Sequence, residues 1–588
     1  MKKLLIGFLT VLLLVVGAVL VIPSLIDWNS YKVDIAERIS AATGRAVTLD
    51  GDIDLALLPR PTLSVAGARL AGLPGAAEPD MARLRKLDVR VAFMPLLSGR
   101  IQVQSIALIE PVIALEVMRD GRRNWDFTPA GNAALSSNHL AEAVQLDKVT
   151  IENGTVIYRD ASAAIHERVE SVDAQIVAGS LVGPFQLQGS VLARGVPLAV
   201  ELTAGRMGEG GALPVRVALR QPDAAGTLRF AGIVITGAEA RVQGDLRAEG
   251  PDLRPATAAV LKAVGEPPTV ELPGVLRQPF AFRTAVNAST RLVELNGIEL
   301  QVGDTRGTGA LKYLPAGAPS PGAIQGTAPG PATGAAAGPA QGELALTFNR
   351  FDLDSWAALG GDGVPAFRLP AGLAGKLTLN IDALNYRGNI VRQARLDAGL
   401  ENGSMTLRRL SALLPGGADV AVTGTLAAER GSPVADVSVD ANADNLRALL
   451  EWLGYSVDRV PADRLRKFSM TSRLTGRPGN FQFAGLDLRV DTSRMTGGVA
   501  YVDRGRPGFG ARLEIDRLNL DAYAPDLTGV TDTGEIHVRP EGVARPDLAG
   551  WLEGFDANLN AEIGTLTVAG VPVQQAGFDG TLSNGTLS

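Results

Sequence analysis

The chain has 588 residues and a net charge of −6, which excludes the basic face expected of a nucleic-acid binder. It contains no cysteine and three histidines, which excludes thiol nucleophiles, disulfide frameworks and cysteine-based metal sites and leaves histidine catalysis little material. Glycine (68) and proline (35) are abundant and aromatic residues make up 5%, which points to a turn-rich β protein rather than a compact enzyme.

Lys2 and Lys3 precede an uncharged run from Leu4 to Ile22, closed by Pro23. Its length matches the roughly 20 residues of a bilayer-spanning helix and exceeds the core of a signal peptide. No small-x-small cleavage site follows. The sequence therefore predicts an uncleaved anchor at 4–22, residues 1–3 in the cytoplasm by the positive-inside rule, and everything after it exported.

A short helix is expected at 29–43. Tyr31, Ile35 and Ile39 share one face, Asn29 or Ser30 suits the start and Gly44 the end. This face is expected to pack on the first strands.

The period then changes to two. Val47, Leu49, Ile53, Leu55 and Leu57 alternate with Thr48, Asp50, Asp52 and Asp54, and Leu87, Val89, Val91 and Phe93 repeat the pattern. Further copies occur at Ile113, Leu115 and Val117, at Ile298, Leu300 and Val302, and at Leu377, Leu379 and Ile381. Others follow at Val437 and Val439, at Leu486, Leu488 and Val490, and at Leu513 and Ile515. Short helices are expected at Pro255–Val264, Ser355–Leu359, Asn445–Leu453 and Pro546–Glu553. Pro315–Ala340 is almost wholly Gly, Ala, Pro and Ser, so it cannot offset its ordering entropy and reads as a disordered loop inserted in a β region.

Asn-Gly pairs at 153–154, 402–403 and 584–585 suit tight hairpin turns. Phe351-Asp-Leu-Asp-Ser-Trp356 and Leu518-Asn-Leu-Asp-Ala-Tyr523 share a pattern of a strand running into a short helix. The last Asn-Gly motif stops at Ser588, where the 402–403 copy continues into a partner strand. A longer natural product, or a frayed last strand, is expected.

No chemistry-bearing motif emerges. Gly375-Lys376 is followed by Leu377 and lacks the magnesium-binding hydroxyl of a phosphate loop. His139, His166 and His537 are far apart. Asp50, Asp52 and Asp54 alternate with apolar residues and lack the acidic twelfth position of a calcium loop. No catalytic residue, metal site or cofactor is expected. What remains is a long series of strands with one apolar face and too few helices to cover it. Such a face is hidden by closing a sandwich, or by curling into a trough that holds something apolar.

The opening segment carries a family resemblance. Asp27-Trp28, Tyr31-Lys32, Thr43-Gly44-Arg45 and Gly51-Asp52-Ile53-Asp54-Leu55 occur in order, followed by Pro59, Pro61 and the stretch from Leu63 to Leu70. This resembles the start of AsmA-family proteins, over about the first 120 residues and in style over 345–588. The resemblance implies a mostly β fold: an elongated, curled antiparallel sheet or groove with a few short helices, behind one N-terminal transmembrane helix. It implies β regions at 45–313 and 343–588, the latter continuing beyond the given end, while the Gly/Pro/Ala-rich loop at 314–342 between them departs from the family pattern. It also implies a single-pass inner-membrane protein, mostly periplasmic, that is not an enzyme and holds phospholipid acyl chains in support of transport to the outer membrane. Val47, Leu49, Ile53, Leu55, Leu57, Leu87, Val89, Val91 and Phe93 are the candidate groove lining. Phospholipid, the inner membrane and outer-membrane or periplasmic proteins are the expected partners, with no nucleic acid. The alternatives are a lipid-free scaffold for outer-membrane protein assembly and an exported structural β protein.

Overall fold

A computed structural model describes residues 27–588 except 57–60, 93–102, 127–145, 162–164, 179–182, 223–225, 236–239, 264–271, 273, 317–338, 358–371, 430–431, 504, 524–553 and 584–585. The expected anchor at 4–22, Leu57, Phe93 and the helix at Pro546–Glu553 lie outside the described residues. Among those described, no helix is long and apolar enough to cross a membrane. The chain divides into two units, the first reaching Leu272 and continuing as Leu276–Ser289, the second comprising Pro273–Val275 and Thr290–Ser588.

In the N-terminal unit, Trp28–Tyr31 forms a 3-10 turn whose first amides Asp27 caps, and α1 (Lys32–Thr43) follows. Gly44 ends α1 in the left-handed conformation, as the sequence predicts. The expected packing face is only partly used. Ile35 joins the strand cluster, while Tyr31 and Ile39 are exposed. Polar side chains do the rest of the fastening: Val47 N donates to Ser40 Oγ at 2.9 Å and Ile53 N to Asn29 Oδ1 at 3.0 Å.

β1 (Val47–Leu49) and β2 (Ile53–Ala56) are two halves of one strand position, both antiparallel to β3 (Thr62–Ala71). β4 (Asp80–Val91) pairs with β3 and with the next split strand, β5 (Val103–Ile109) and β6 (Val112–Val117). Both halves run parallel to β7 (Leu146–Asp160). An antiparallel run then continues through β8 (Ile165–Ala178), β9 (Phe185–Ala193), β10 (Val196–Ala204) and β11 (Ala212–Arg220). It ends in β12 (Thr227–Ile235) and β13 (Arg241–Gly250). Helix α2 (Leu253–Ala263) leads to β14 (Phe280–Ser289), antiparallel to β13.

The C-terminal unit starts with the antiparallel strands β15 (Val293–Val302), β16 (Thr305–Leu314) and β17 (Ala340–Asp352). Leu314 pairs with Gln341, so the Gly/Pro/Ala-rich stretch joins two neighbouring strands, and β17 begins at Ala340, inside what the sequence assigns to loop. After α3 (Leu353–Ala357) the chain returns as β18 (Leu373–Tyr386), parallel to β17. β19 (Asn389–Glu401), β20 (Ser404–Leu414), β21 (Ala418–Glu429) and β22 (Ser432–Ala443) are antiparallel. Helix α4 (Leu446–Leu453) then gives β23 (Phe468–Arg477), β24 (Asn480–Val490), β25 (Ser493–Asp503) and β26 (Pro507–Asn519). After α5 (Leu520–Tyr523), β27 (Asp556–Val568) returns parallel to β26, and β28 (Val571–Ser583) and β29 (Thr586–Leu587) follow.

The Asn-Gly signal has two outcomes. Asn402 and Gly403 have φ of 51° and 73° and form the expected tight turn between β19 and β20. Asn153 also has positive φ but sits inside β7, where the register to β8 shifts. It makes a bulge, because the chain on both sides of it stays paired to β8.

Alternating strand direction in the C-terminal unit brings the ends of β17, β22 and β26 to one margin, where α3, α4 and α5 begin. Each helix opens on an Asx-Leu pair. Asp352, Asn445 and Asn519 accept the backbone N–H of Ser355, Ala448 and Ala522 at 3.4, 3.3 and 3.2 Å. The next residue differs. Asp354 takes both amides of the turn at Arg387 and Gly388, at 2.6 and 2.9 Å. Asp521, buried, takes those of Ala569 and Gly570, both at 2.8 Å. In α4 the residue is Arg447, which donates to the carbonyls of Val457 at 3.0 Å and Pro461 at 2.7 Å. The aspartate copies precede parallel returns and the arginine copy an antiparallel one.

Candidate functional site

Directly paired residues on neighbouring strands point to the same face of a sheet, so the register can be followed from strand to strand. In the N-terminal unit one row starts at Leu55, Leu63, Val89 and Ile106. It continues through Val149, Ile176, Leu187, Leu202, Val217, Phe230 and Leu246. It ends on Thr284 in β14. From Leu55 to Leu246 every residue is apolar and every one is half-buried. At about 4.8 Å per strand, the path from β2 to β13 is roughly 50 Å. A second row, two residues away, begins Ile53, Val65, Leu87, Leu108, Ile151 and Ala174.

The intervening row points to the other face and is polar for much of its length. It begins at Asp54, Ser64 and Asp88 and later includes Gln175, Gln188 and Glu201. The Ser64 hydroxyl donates to Asp88 at 2.6 Å. Burial acts to raise the Asp88 pKa, but the bonds from Ser64 and Lys86 and the charges of Lys86 and Arg90 hold it below the usual carboxylate range. Its charge is thereby fixed on this face.

The candidate lining residues do come together on one side, but into two environments. Ile53 is 2% exposed and packs with Leu49 and Leu87 against Trp28 and Ile35. These three seal the start of the sheet beneath α1. Leu55 and Val89 head the half-buried row, and Val47 and Val91 are half-buried on the same face. The larger part of the row, from Val149 to Leu246, is what sequence reasoning missed. Its signal was present, since Leu187 alternates with Gln186 and Gln188, but register alone connects it to Leu55.

The C-terminal unit has the equivalent row through Leu295, Leu311, Leu344 and Leu377 to Ala398 and Leu407. There it is filled. Ala398 is 0% exposed, and Leu407 and Val437 are 5% exposed. Gly424 lies between Leu407 and Val437 in the register, and a Cβ there would sit 2.3 Å from the Asp436 carbonyl oxygen. Without a side chain at 424, the flanking residues close over the gap together with Met405, Leu396 and Leu474.

Among the described residues no group of three His, Asp or Glu could hold a metal ion. His166 is exposed on β8, and His139 and His537 lie outside the described residues.

The AsmA family model matches residues 1–241, beyond the first 120 that carry the resemblance and short of 345–588. Over 188 residues the chain is 24% identical to AsmA family protein YhjG of Escherichia coli (strain K12), covering 30% of this chain and 26% of that protein. The chain thus spans about a quarter of the length of the curated relative it matches. No solved structure matches. Together these matches support AsmA family membership.

Proposed function

Starting from AsmA family membership, we propose that this chain holds phospholipid acyl chains along the apolar face of its N-terminal unit and so serves outer-membrane lipid transport and integrity. In this reading residues 4–22 anchor it in the inner membrane, the rest is periplasmic, and it carries out no catalysis. The observation that carries the reading is the row from Leu55 to Leu246, apolar throughout and half-buried throughout. A conventional core seals its central positions, and leaving such a face to water costs about 25 cal/mol per Å². A mobile apolar ligand covers it without being part of the fold.

The test is the phospholipid content of the full chain extracted from membranes. Leu55→Asp and Ile176→Asp should leave the protein folded and cut bound phospholipid about tenfold, since a charge against acyl chains is costly. Unchanged lipid content in both folded variants would overturn the reading. The filled cluster around Ala398 favours a second reading, a lipid-free scaffold for outer-membrane assembly. That reading expects no bound phospholipid in the parent protein and loss of folding in both variants.

A further inference from the structure

Helices α2 and α4 each follow an Asx-Leu pair but are built differently. α4 drives Leu446 and Leu449 into a filled cluster with Leu414, Trp452 and Phe468. α2 offers Ala256 and Ala259 to its sheet, Val260 stands largely exposed at the cavity's edge, and none of the described side chains of α2 is buried. Such small residues cannot reach the leucines opposite. A cavity of about 410 Å³ remains between α2 and Leu198, Leu219, Leu228 and Phe280. Leu219, Leu228 and Ala248 continue one row across β11 to β13, so the cavity opens onto the apolar face.

The position of α2 follows from its length. Eleven residues make a rod of about 16 Å, a little over three strand spacings. That carries it from the end of β13 to the β9–β10 turn, where Lys262 Nζ donates to the Gly195 carbonyl at 2.8 Å. The rim is charged. Arg194 and Glu167 form a double ion pair, with Nε donating at 2.9 Å. The Arg194 guanidinium holds the Glu167 carboxyl below the usual range. With Lys262, two cations face one carboxylate.

We propose that this cavity seats one alkyl chain of an anionic phospholipid, with α2 as its cover and Arg194 and Lys262 beside the phosphate. A cavity of this size with apolar walls and a few polar groups at its edge suits an alkyl chain better than water. The proposal rests on the lipid-holding reading for the identity of its occupant.

The experiment places a photo-crosslinking benzophenone amino acid at Leu228, beneath α2, or at Ile176, in the half-buried row. The full chain is expressed in cells grown on radioactive phosphate. Arg229, on the opposite face, serves as the control. Labelled lipid is expected at Leu228 and Ile176 and not at Arg229. Filling the cavity with Ala259→Trp should cut labelling at Leu228 about tenfold. Labelling at Ile176 should persist, which also reports that the unit has folded. Lipid captured at Leu228 should be enriched in anionic headgroups relative to the membrane. Label at Ile176 with none at Leu228, or label at Leu228 that ignores Ala259→Trp, overturns the covered seat and leaves the row reading intact. Label at Leu228 alone supports the seat and removes the row. A membrane-like lipid composition overturns the assigned rim.

Discussion

The two units place the same alternating pattern at equivalent positions and finish it differently. Leu187 and Leu202 in the N-terminal unit stay half-buried, while Leu407 and Val437 in the C-terminal unit are sealed. Residue type contributes, since the N-terminal row includes Ile106, Ile176 and Phe230 and no alanine, whereas the C-terminal row ends on Ala398, Leu407 and Gly424. Local geometry contributes too. Around Leu407 the registers of β19 to β21 shift three times and Gly424 leaves a gap, so side chains of one face fold onto each other. In the strands β9 to β13 the register runs unbroken, and Leu187 and Val191 of β9 stay half-buried against the cluster of Ile151, Val172 and Ala174. An apolar face is thus a property of sequence pattern, and its openness depends on local register and on what packs beside it.

Charge insertion gives the largest expected separation of the two units. Leu407→Asp should destabilise the C-terminal unit by about 4 kcal/mol or more, because the charge enters a filled cluster. Leu187→Asp should cost about 1 kcal/mol, because its carboxylate keeps contact with water. Pulse proteolysis in urea reads both, and equal losses would erase the distinction between open and filled faces.

A middle-sized effect is expected from the margin clamps. Asp521→Ala strands the amides of Ala569 and Gly570 and should cost about 2 kcal/mol. Asp354→Ala should cost less, since Asp354 is only half-buried. Hydrogen exchange of the two turn amides in each variant checks this, and unchanged protection at 569–570 would show that the clamp is idle.

The smallest effect is a pH dependence confined to the C-terminal unit. Burial acts to raise the pKa of Asp491, but the Tyr523 hydroxyl and the amides of Leu465, Arg466 and Lys467 hold it below the usual range. A carboxylate with a depressed folded-state pKa contributes stability above its unfolded value, about 3.9, and loses it as pH falls through the folded value. The urea midpoint of this unit should therefore fall below about pH 4, and Asp491→Asn should flatten that limb. An unchanged acid limb in Asp491→Asn would assign the dependence to other carboxylates.

Much of the fold was legible because period-two alternation has a single physical cause, one face in and one face out. The strands at Leu87, Val437 and Leu513 follow directly from it. The short helices were legible through capping, as at Asn445, and through Gly44. What sequence could not show depends on distant partners. Asn153-Gly154 and Asn402-Gly403 look alike, and only the pairing on either side makes one a bulge and the other a turn. Likewise Ile53 and Leu55 belong to one strand and one face, but Trp28 and Ile35 cover only the first.

The Asx-Leu helix starts of the C-terminal unit carry a consequence for growth of the chain. A segment from Asn445-Leu446 to Asn519-Leu520 holds α4 and four strands, and it leaves the sheet at the margin and in the direction at which it arrived. From Asp352-Leu353 to Asn445-Leu446 there are five strands, an odd number, and the parallel step from β17 to β18 restores the direction. Either segment can be duplicated or deleted without reversing a strand beyond it or turning its apolar face outward. Gene duplication can therefore set the length of such a protein in whole modules, fitting it to whatever distance it must cover.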